Sequence, residues 1–394
     1  MRRLLLLALM TLSLTMSAQT PPPAELTIWL PDALANFSTE ALSAFGTATD
    51  EFAAERGISA LIRIKKVSDA GGILSTLRSA SSVAPRALPG VTLLRRSDLL
   101  LAAQERLIEP LPPLLIESTA QTFSSTRRLC EVSGVLMGVP FLVDLQHFVY
   151  LPQPNVDYAG WGFEDVLARG LPIQFAGNAN VGVNPILYVQ YLAAGGSTDE
   201  QGILQYDAVA LRQVLEFYEA ALAAGIIDEQ TLLFTSPLQY GAALAAAGER
   251  QWGALASQYL RALAFEPALR FAPIPTSDGT PRAVLEGWCW VLVTRDDRLQ
   301  PLALDYIDYM SGSSAAVALA EAIRLLPPQM NLLAEVLNDE QTVFYTEMLV
   351  NSFIIPLDAG SIAVERAIQD AFRAVINGSS AEEAVRAASA SLGG

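Results

Sequence analysis

The stretch Met137-Gly-Val-Pro-Phe-Leu-Val-Asp-Leu-Gln-His-Phe-Val-Tyr150 decides how this chain is read. It is an apolar run of strand-like composition that carries one carboxylate, Asp144, among its apolar neighbours. Such a run reads as a buried strand. Chains pass between domains on strands of this kind, and small ligands are often held at those crossings. The expectation is that Asp144 lies at a hinge beside a ligand cleft.

Upstream of that strand the elements alternate. Leu26-Thr-Ile-Trp-Leu30 is a short β-rich run that ends at Pro31-Asp32. Residues 38–56 have helical spacing, with Leu42, Phe45 and Phe52 on one side, and Gly57 supplies the stop. Ile58 to Val67 alternates as a strand, Ile73 to Ser82 is helical, and Pro89-Gly-Val-Thr-Leu-Leu94 is another buried strand. A helix follows over 99–106. Strand, helix, strand, helix, strand at this spacing predicts βαβ units on a mainly parallel sheet.

Downstream, helix predominates. The spacing predicts helices over 163–168, 185–194, 207–224 and 240–247, and strands over 171–176, 251–255, 269–273 and 285–293. Beyond Leu302 the chain is almost entirely helical, with a break at Leu326-Pro-Pro328. There is no short repeat and no low-complexity linker, so two domains joined by several short crossings are expected.

The N-terminus points to a compartment. Met1-Arg2-Arg3 is a short basic segment, and Leu4 to Leu14 is an apolar run of signal-peptide length. Small residues at Ser17 and Ala18 precede Pro21-Pro22-Pro23. Residues 1–18 are read as a signal peptide. No Cys follows the apolar run, so a lipoprotein is not expected, and the protein is placed in the periplasm or otherwise outside the cytoplasm. The 394 residues are 52% hydrophobic and 17% charged, too apolar for disorder and enough for two cores. A net charge of -16 without a basic stripe argues against nucleic acid.

Two cysteines are present, Cys130 and Cys289. Export permits a bridge between them. Spacing does not say whether they meet, and two buried free thiols is the reading favoured here. With one His and no paired short Cys spacing, no metal site is expected. That His, His147, sits on the buried strand and is read as a packing residue. No Gly-x-Ser-x-Gly elbow is present, and Gly177-Asn-Ala-Asn-Val-Gly182 is followed by Val183 where a phosphate loop requires Lys. These features leave no catalytic residue to nominate, and no cofactor is expected.

Aromatic residues stand in loop-like places. Trp29 ends the first strand, and Trp161 lies between Gly160 and Gly162. Tyr188 opens towards Gly195-Gly196, and Trp288 and Trp290 flank Cys289 just after Glu286-Gly287. Aromatic faces bind sugars and other partly apolar ligands. Trp252 and Trp290, inside strands, are read as core; Trp161 is read as exposed.

Taken in order, these segments resemble the extracellular solute-binding proteins of ABC importers, family 1, the group that includes the maltose-binding protein. The resemblance runs over roughly Glu25 to Leu392. Leu26-Thr-Ile-Trp29 is similar to the first strand, Pro89 to Leu94 to the Pro-Asp-hydrophobic segment, and Leu107-Ile-Glu-Pro-Leu111 to the Gly-Leu-Leu-x-Pro-Leu stretch of that group. Gly138-Val-Pro-Phe141 with Asp144 and Tyr150 resembles the first hinge strand. Leu192 to Gly196 resembles a lower-lobe helix end, Gly287-Trp288 the second crossing, and Ala374 to Gly378 with Glu382 to Ala384 the closing helix pair.

The resemblance implies an α/β, two-lobed periplasmic-binding-protein fold of the class II type, with a ligand cleft between the lobes and two or three hinge crossings. Residues 24–143 plus 289–326 would form lobe 1, and 144–288 plus 327–394 lobe 2. Position by position it implies ligand contacts at Asp144, Tyr188, Tyr259 and Trp288, and in the loop holding Arg95, Ser97 and Asp98. Trp29, Asp32, Trp161 and Glu286 complete the candidate set. Departures are Leu94 in place of an aromatic, Gly90 in place of Asp, Leu151 in place of Asn, and no Trp near 362–368. They argue against a long oligosaccharide and leave a mono- or disaccharide, a polyol or another small polar solute. The expected function is capture of that solute by a monomer that delivers it to permease subunits by hinge closure, without catalysis. A secreted α/β hydrolase and a sensing module that feeds a membrane receptor are the alternatives.

Overall fold

The computed structural model describes residues 24–393, apart from 68–69, 113–114, 116–120, 151, 158, 171, 201, 237–238, 240–253, 258–269 and 356–359. The expected signal peptide, the helix over 240–247 and Trp252 lie outside the described residues.

The first half of the chain follows the alternation in its sequence. β1 (Glu25–Pro31) leads through the short helix α1 (Asp32–Ala35) to α2 (Thr39–Arg56). Ser38 caps α2 by accepting the Ala41 N–H at 3.0 Å, and Gly57 closes it in the left-handed region at φ 61°, which an L side chain adopts only with strain. β2 (Ser59–Lys65), α3 (Ile73–Val83), β3 (Val91–Arg95) and α4 (Arg96–Gln104) complete this part. Then come α5 (Ser124–Leu129), a small hairpin of β4 (Glu131–Val132) and β5 (Val135–Leu136), and the long β6 (Val139–Tyr150).

β6 is buried nearly throughout, and Asp144 is its one partly exposed interior position. Beyond it lie α6 (Phe163–Arg169), α7 (Pro185–Ala193), α8 (Ala208–Ala223), β7 (Ala254–Ser257), β8 (Arg270–Ala272) and β9 (Ala283–Leu292). The last part holds α9 (Gln300–Ser311), α10 (Ser313–Ile323), α11 (Met330–Val336) and α12 (Asp339–Val350). β10 (Ser352–Phe353), α13 (Ile362–Ile376) and α14 (Ala381–Ser391) end it.

The main sheet runs β2-β1-β3-β9-β6-β7, with β10 on β9 and β8 on β6. β1 pairs in parallel with β2 and β3, as the βαβ alternation requires. The expected mainly parallel sheet stops there. β9 runs antiparallel to both β3 and β6, and β7 and β8 run antiparallel to β6. The reason is that β9 arrives from distant chain and inserts between β3 and β6 without a helical crossover. The described residues 172–176 of the strand expected over 171–176 form no strand. That segment spends its backbone bonds on loops: the Ile173 N–H goes to Ile226 O and the Gly177 N–H to Thr231 O.

Buried apolar side chains form two clusters. The first contains Leu26, Ile28, Phe45, Phe52, Leu93, Phe141, Trp290 and Tyr306. The second contains Phe148, Phe175, Tyr188, Tyr191, Tyr218 and Phe372. Along β6, Leu145 and Val149 belong to the first cluster and Phe148 to the second; along β9, Ala283 and Leu285 belong to the first and Val284 to the second, so both strands carry side chains of both cores. Leu333, Leu337, Tyr345, Met348 and Leu349, which follow Pro327-Pro328, join the first cluster. The Phe123 N–H bonds Pro328 O and the Ser125 hydroxyl donates to Leu349 O, which tie this stretch to α5 and the residue before it.

Cys130 and Cys289 form a disulfide with Cα atoms 6.0 Å apart, which corrects the expectation of free thiols. Both residues are fully buried, as that reading required, but the sheet order that brings α5 over the middle of β9 cannot be read from spacing.

Candidate functional site

A cavity of about 920 Å³ opens beside the part of β6 and β9 that carries side chains of both clusters. Leu34, Leu129, Leu285 and Trp288 line it from the first core, and Val183 and Val284 from the second. It is therefore a cleft between two lobes, of a size that suits a small ligand.

Two strands build its floor. On β6 and β9, Leu142 pairs with Trp288, Val143 with Gly287 and Asp144 with Glu286. Gly287 is required at its position: a Cβ there would stand 2.8 Å from Leu142 O and 3.0 Å from side-chain atoms of Leu129 and Val143. On the other side of β9, Arg95 of β3 pairs with Trp288, and its guanidinium carbon lies 4.6 Å from the centre of a Trp288 ring. This contact across the strands is a cation–π interaction. Trp288 is only 5% exposed, so it offers the cleft one edge of a packed ring.

Asp144 accepts the Leu145 N–H at 3.0 Å. Glu286 accepts from the Gln146 amide at 3.3 Å. Glu286 reaches the water of the cleft while protein surrounds it on all other sides. That burial raises its carboxyl above the usual range, and Arg95 and Gln146 oppose the rise. Arg96 lines the same wall but turns away: its Nη1 donates to Arg128 O, Leu129 O and Glu131 O.

The opposite wall is the loop Gly177-Asn-Ala-Asn-Val-Gly182, whose Asn178, Ala179, Asn180 and Val181 line the cavity with Glu365 of α13. Arg373 holds the loop, donating to Asn178 Oδ1 from Nε and Nη2 at 2.9 and 2.6 Å and to Ala179 O at 2.7 Å. Gln369 adds a bond from Nε2 to Gly177 O at 3.0 Å, and its Oε1 accepts the Asn184 N–H at 2.8 Å. The glycine spacing of this loop does not serve phosphate; it gives the second lobe a lip.

Of the expected site residues, Arg95, Asp144, Glu286 and Trp288 come together in the cleft. Trp29, Asp32, Asp98, Trp161 and Tyr188 do not line it. Trp29 is 2% exposed and carries Lys65 over a ring at 4.8 Å. Asp32 accepts the Val67 N–H at 3.1 Å at the start of α1. Asp98, half-buried in the first turn of α4, has a carboxyl raised by burial against the pull of Arg95 and Arg78. Trp161, expected exposed, is half-buried: it packs on Tyr150, and Arg169 covers it at 4.5 Å. Tyr188 is buried in the second core. Tyr259 lies outside the described residues. Phe37, Asn178, Asn180 and Glu365 were missed, and only the polar pair set between two glycines gave any signal for the asparagines.

His147 is fully buried beside Tyr345 and Phe344, and burial lowers it to about 4. Its Nε2 meets the Tyr345 hydroxyl at 3.0 Å. It takes no part in lining the cleft.

No family model matches the sequence, and no curated protein does. Solved structures do match. A cyclic α-maltosyl-1,6-maltose binding protein from Arthrobacter globiformis superposes with a TM-score of 0.71 at 14% identity, covering 94% of this chain and 98% of that one. A family 1 extracellular solute-binding protein from Bifidobacterium longum subsp. infantis gives 0.69 at 15% identity, covering 94% and 99%. An ABC transporter solute-binding protein from Thermotoga lettingae, bound with α-D-tagatose, gives 0.64 at 18%, covering 93% and 98%. The chain thus has the two-lobed α/β fold of periplasmic sugar-binding proteins.

Proposed function

We propose that this chain captures a small polar solute, in the class of a mono- or disaccharide or polyol, and hands it to the permease subunits of an ABC importer. The observation that carries this reading is the cleft floor. Asp144, Glu286 and Trp288 stand on the two strands that pass between the buried cores, so a ligand resting on them touches the place where the lobes join. The stretch around β10, between α12 and α13, is a third passage between the cores. Closure about these passages would bury the solute. The proposal makes the protein a monomer working outside the cytoplasm, after removal of the basic and apolar N-terminal segment; no helix among the described residues is long and apolar enough to cross a membrane. It performs no catalysis and needs no cofactor. The similar structures are binding proteins, and the single His is committed to core packing, which removes support for a hydrolase.

The test is a thermal-shift screen of the chain from residue 24 against sugars and polyols. A ligand at a hundred times its dissociation constant stabilises by about 2.7 kcal/mol. Asp144→Ala and Trp288→Ala should abolish the shift. Stabilisation that survives both substitutions would move the site elsewhere.

A further inference from the structure

The far wall of the cleft narrows the class of solute, given the solute-binding reading above. Where water reaches that wall it is aliphatic. Val181, in the loop of residues 177–182, lines the cavity and is 71% exposed. Ile362 opens α13 one turn before Glu365, and residues so spaced share a helix face. A Cβ on Gly182 would strike the Glu365 carboxylate, so the loop lies against that first turn and brings Val181 to the Ile362 side of the cleft. β10 pairs in parallel with Ala283 and Val284. Ile354 and Ile355, which follow β10, line the cleft where β9 continues into Leu285 and Glu286. All three isoleucines are partly exposed. Apolar side chains left open to water in one groove mark a surface that a ligand covers.

The polar groups of this wall are turned to protein. Asn178 Oδ1 accepts from Arg373 and from the Ala179 N–H, and its Nδ2 donates to Leu232 O at 3.0 Å. The Thr235 hydroxyl donates to Gln239 at 3.0 Å, and the Asn180 amide donates to that hydroxyl at 3.5 Å. Glu365 is only 5% exposed. Two aromatic residues line the cleft among the described residues, and neither belongs to this wall. Trp288 is nearly buried with Arg95 over a ring, and Phe37 packs on the first core. A hydroxylated ring set against the wall would give up water without finding partners. An alkyl group there would gain about fourfold in affinity for each methylene buried.

We infer that the solute is two-ended: a hydroxylated head rests on the floor at Asp144 and Glu286, and an alkyl substituent of several carbons lies against Val181, Ile354, Ile355 and Ile362. An alkyl glycoside has this form. The test is calorimetry with the methyl, butyl and hexyl β-glycosides of glucose, galactose and mannose, kept below micelle-forming concentrations, beside the free sugars and sorbitol. In at least one series the hexyl glycoside should bind one-to-one and about ten or more times tighter than the methyl glycoside. Val181→Ser and Ile355→Ser should each cut that hexyl-to-methyl ratio about threefold or more. Circular dichroism melts confirm that both variants fold. Binding of the free sugars or sorbitol with no gain along any alkyl series overturns the inference and leaves solute capture standing. A gain that survives both substitutions overturns the inference too, since the chain then lies elsewhere. Binding by no glycoside, free sugar or sorbitol overturns both.

Discussion

Replacing both half-cystines, Cys130→Ala with Cys289→Ala, tests the way the cleft floor is anchored. The bridge joins the end of α5 to β9 one residue from Trp288, and it closes 159 residues of chain. A loop of that length restricts the unfolded ensemble by about 5 kcal/mol at 25 °C in the chain-entropy treatment, in which stabilisation grows with the logarithm of loop length. Both sites are fully buried, so the lost sulfur contacts add to the cost. Engineered and native bridges commonly deliver less than the entropy alone, so about 3–5 kcal/mol is expected. With an unfolding entropy of about 2.1 cal/mol/K per residue, each kcal/mol moves the midpoint of a chain this long by about 1–1.5 °C, which places the double variant about 4–7 °C below the parent. Calorimetry under non-reducing conditions measures it. Maleimide counting on unreduced, denatured protein should find no reactive thiol in the parent. Two labelled thiols, or a double variant that melts within about 2 °C of the parent, would refute the reasoning.

Three further outcomes are expected. Gly287→Ala forces a Cβ against the Leu142 carbonyl, and overpacking of this kind costs about 1–3 kcal/mol; a melting curve unchanged from the parent's would mean that the floor has slack. His147 has a folded value of about 4 against 6.5 for the free side chain, so the unfolded chain takes up the proton first as pH falls. Its contribution is fully present above pH 6.5 and is lost as pH falls towards 4, about 3 kcal/mol in all. Urea midpoints of the parent should therefore fall more steeply over that range than those of His147→Gln, and parallel curves would contradict a neutral buried imidazole. Glu286 has the opposite sign. Its folded value is raised, so its stabilisation is present at low pH and is lost as pH rises through that value. Glu286→Gln should melt higher than the parent at pH 8 and no higher at pH 4; the reverse order would show that the carboxylate is satisfied in the empty cleft.

Much of the fold was legible because local physics fixes it. Ser38 and Gly57 bound α2 by capping and by a left-handed turn, and the sequence shows both. The alternation of β1, α2, β2, α3 and β3 gives the parallel half of the sheet directly. The antiparallel half was not legible, because β9 joins β3 and β6 over long sequence separation and no short-range pattern records such a pairing. The site divides the same way. Asp144 stood out as a carboxylate in an apolar strand, and Trp288 followed a glycine that proves to be sterically required. Trp29 and Tyr188 looked equally promising, yet packing decides whether an aromatic lines a cleft or fills a core, and both are buried.

By itself the sequence determined that two apolar cores would form, that a buried strand carrying one acid would run between them, and that the single His would be packed away. These follow from composition and from the short periodicities of strand and helix. Only the tertiary structure decided that Asp144 faces Glu286, that Arg95 covers Trp288, that Cys130 meets Cys289, and that an asparagine loop forms the far lip of the cleft. Each of those joins residues separated by many positions. Strand register and sheet order set such contacts, and a one-residue slip would turn every one of the floor's side chains to the opposite face.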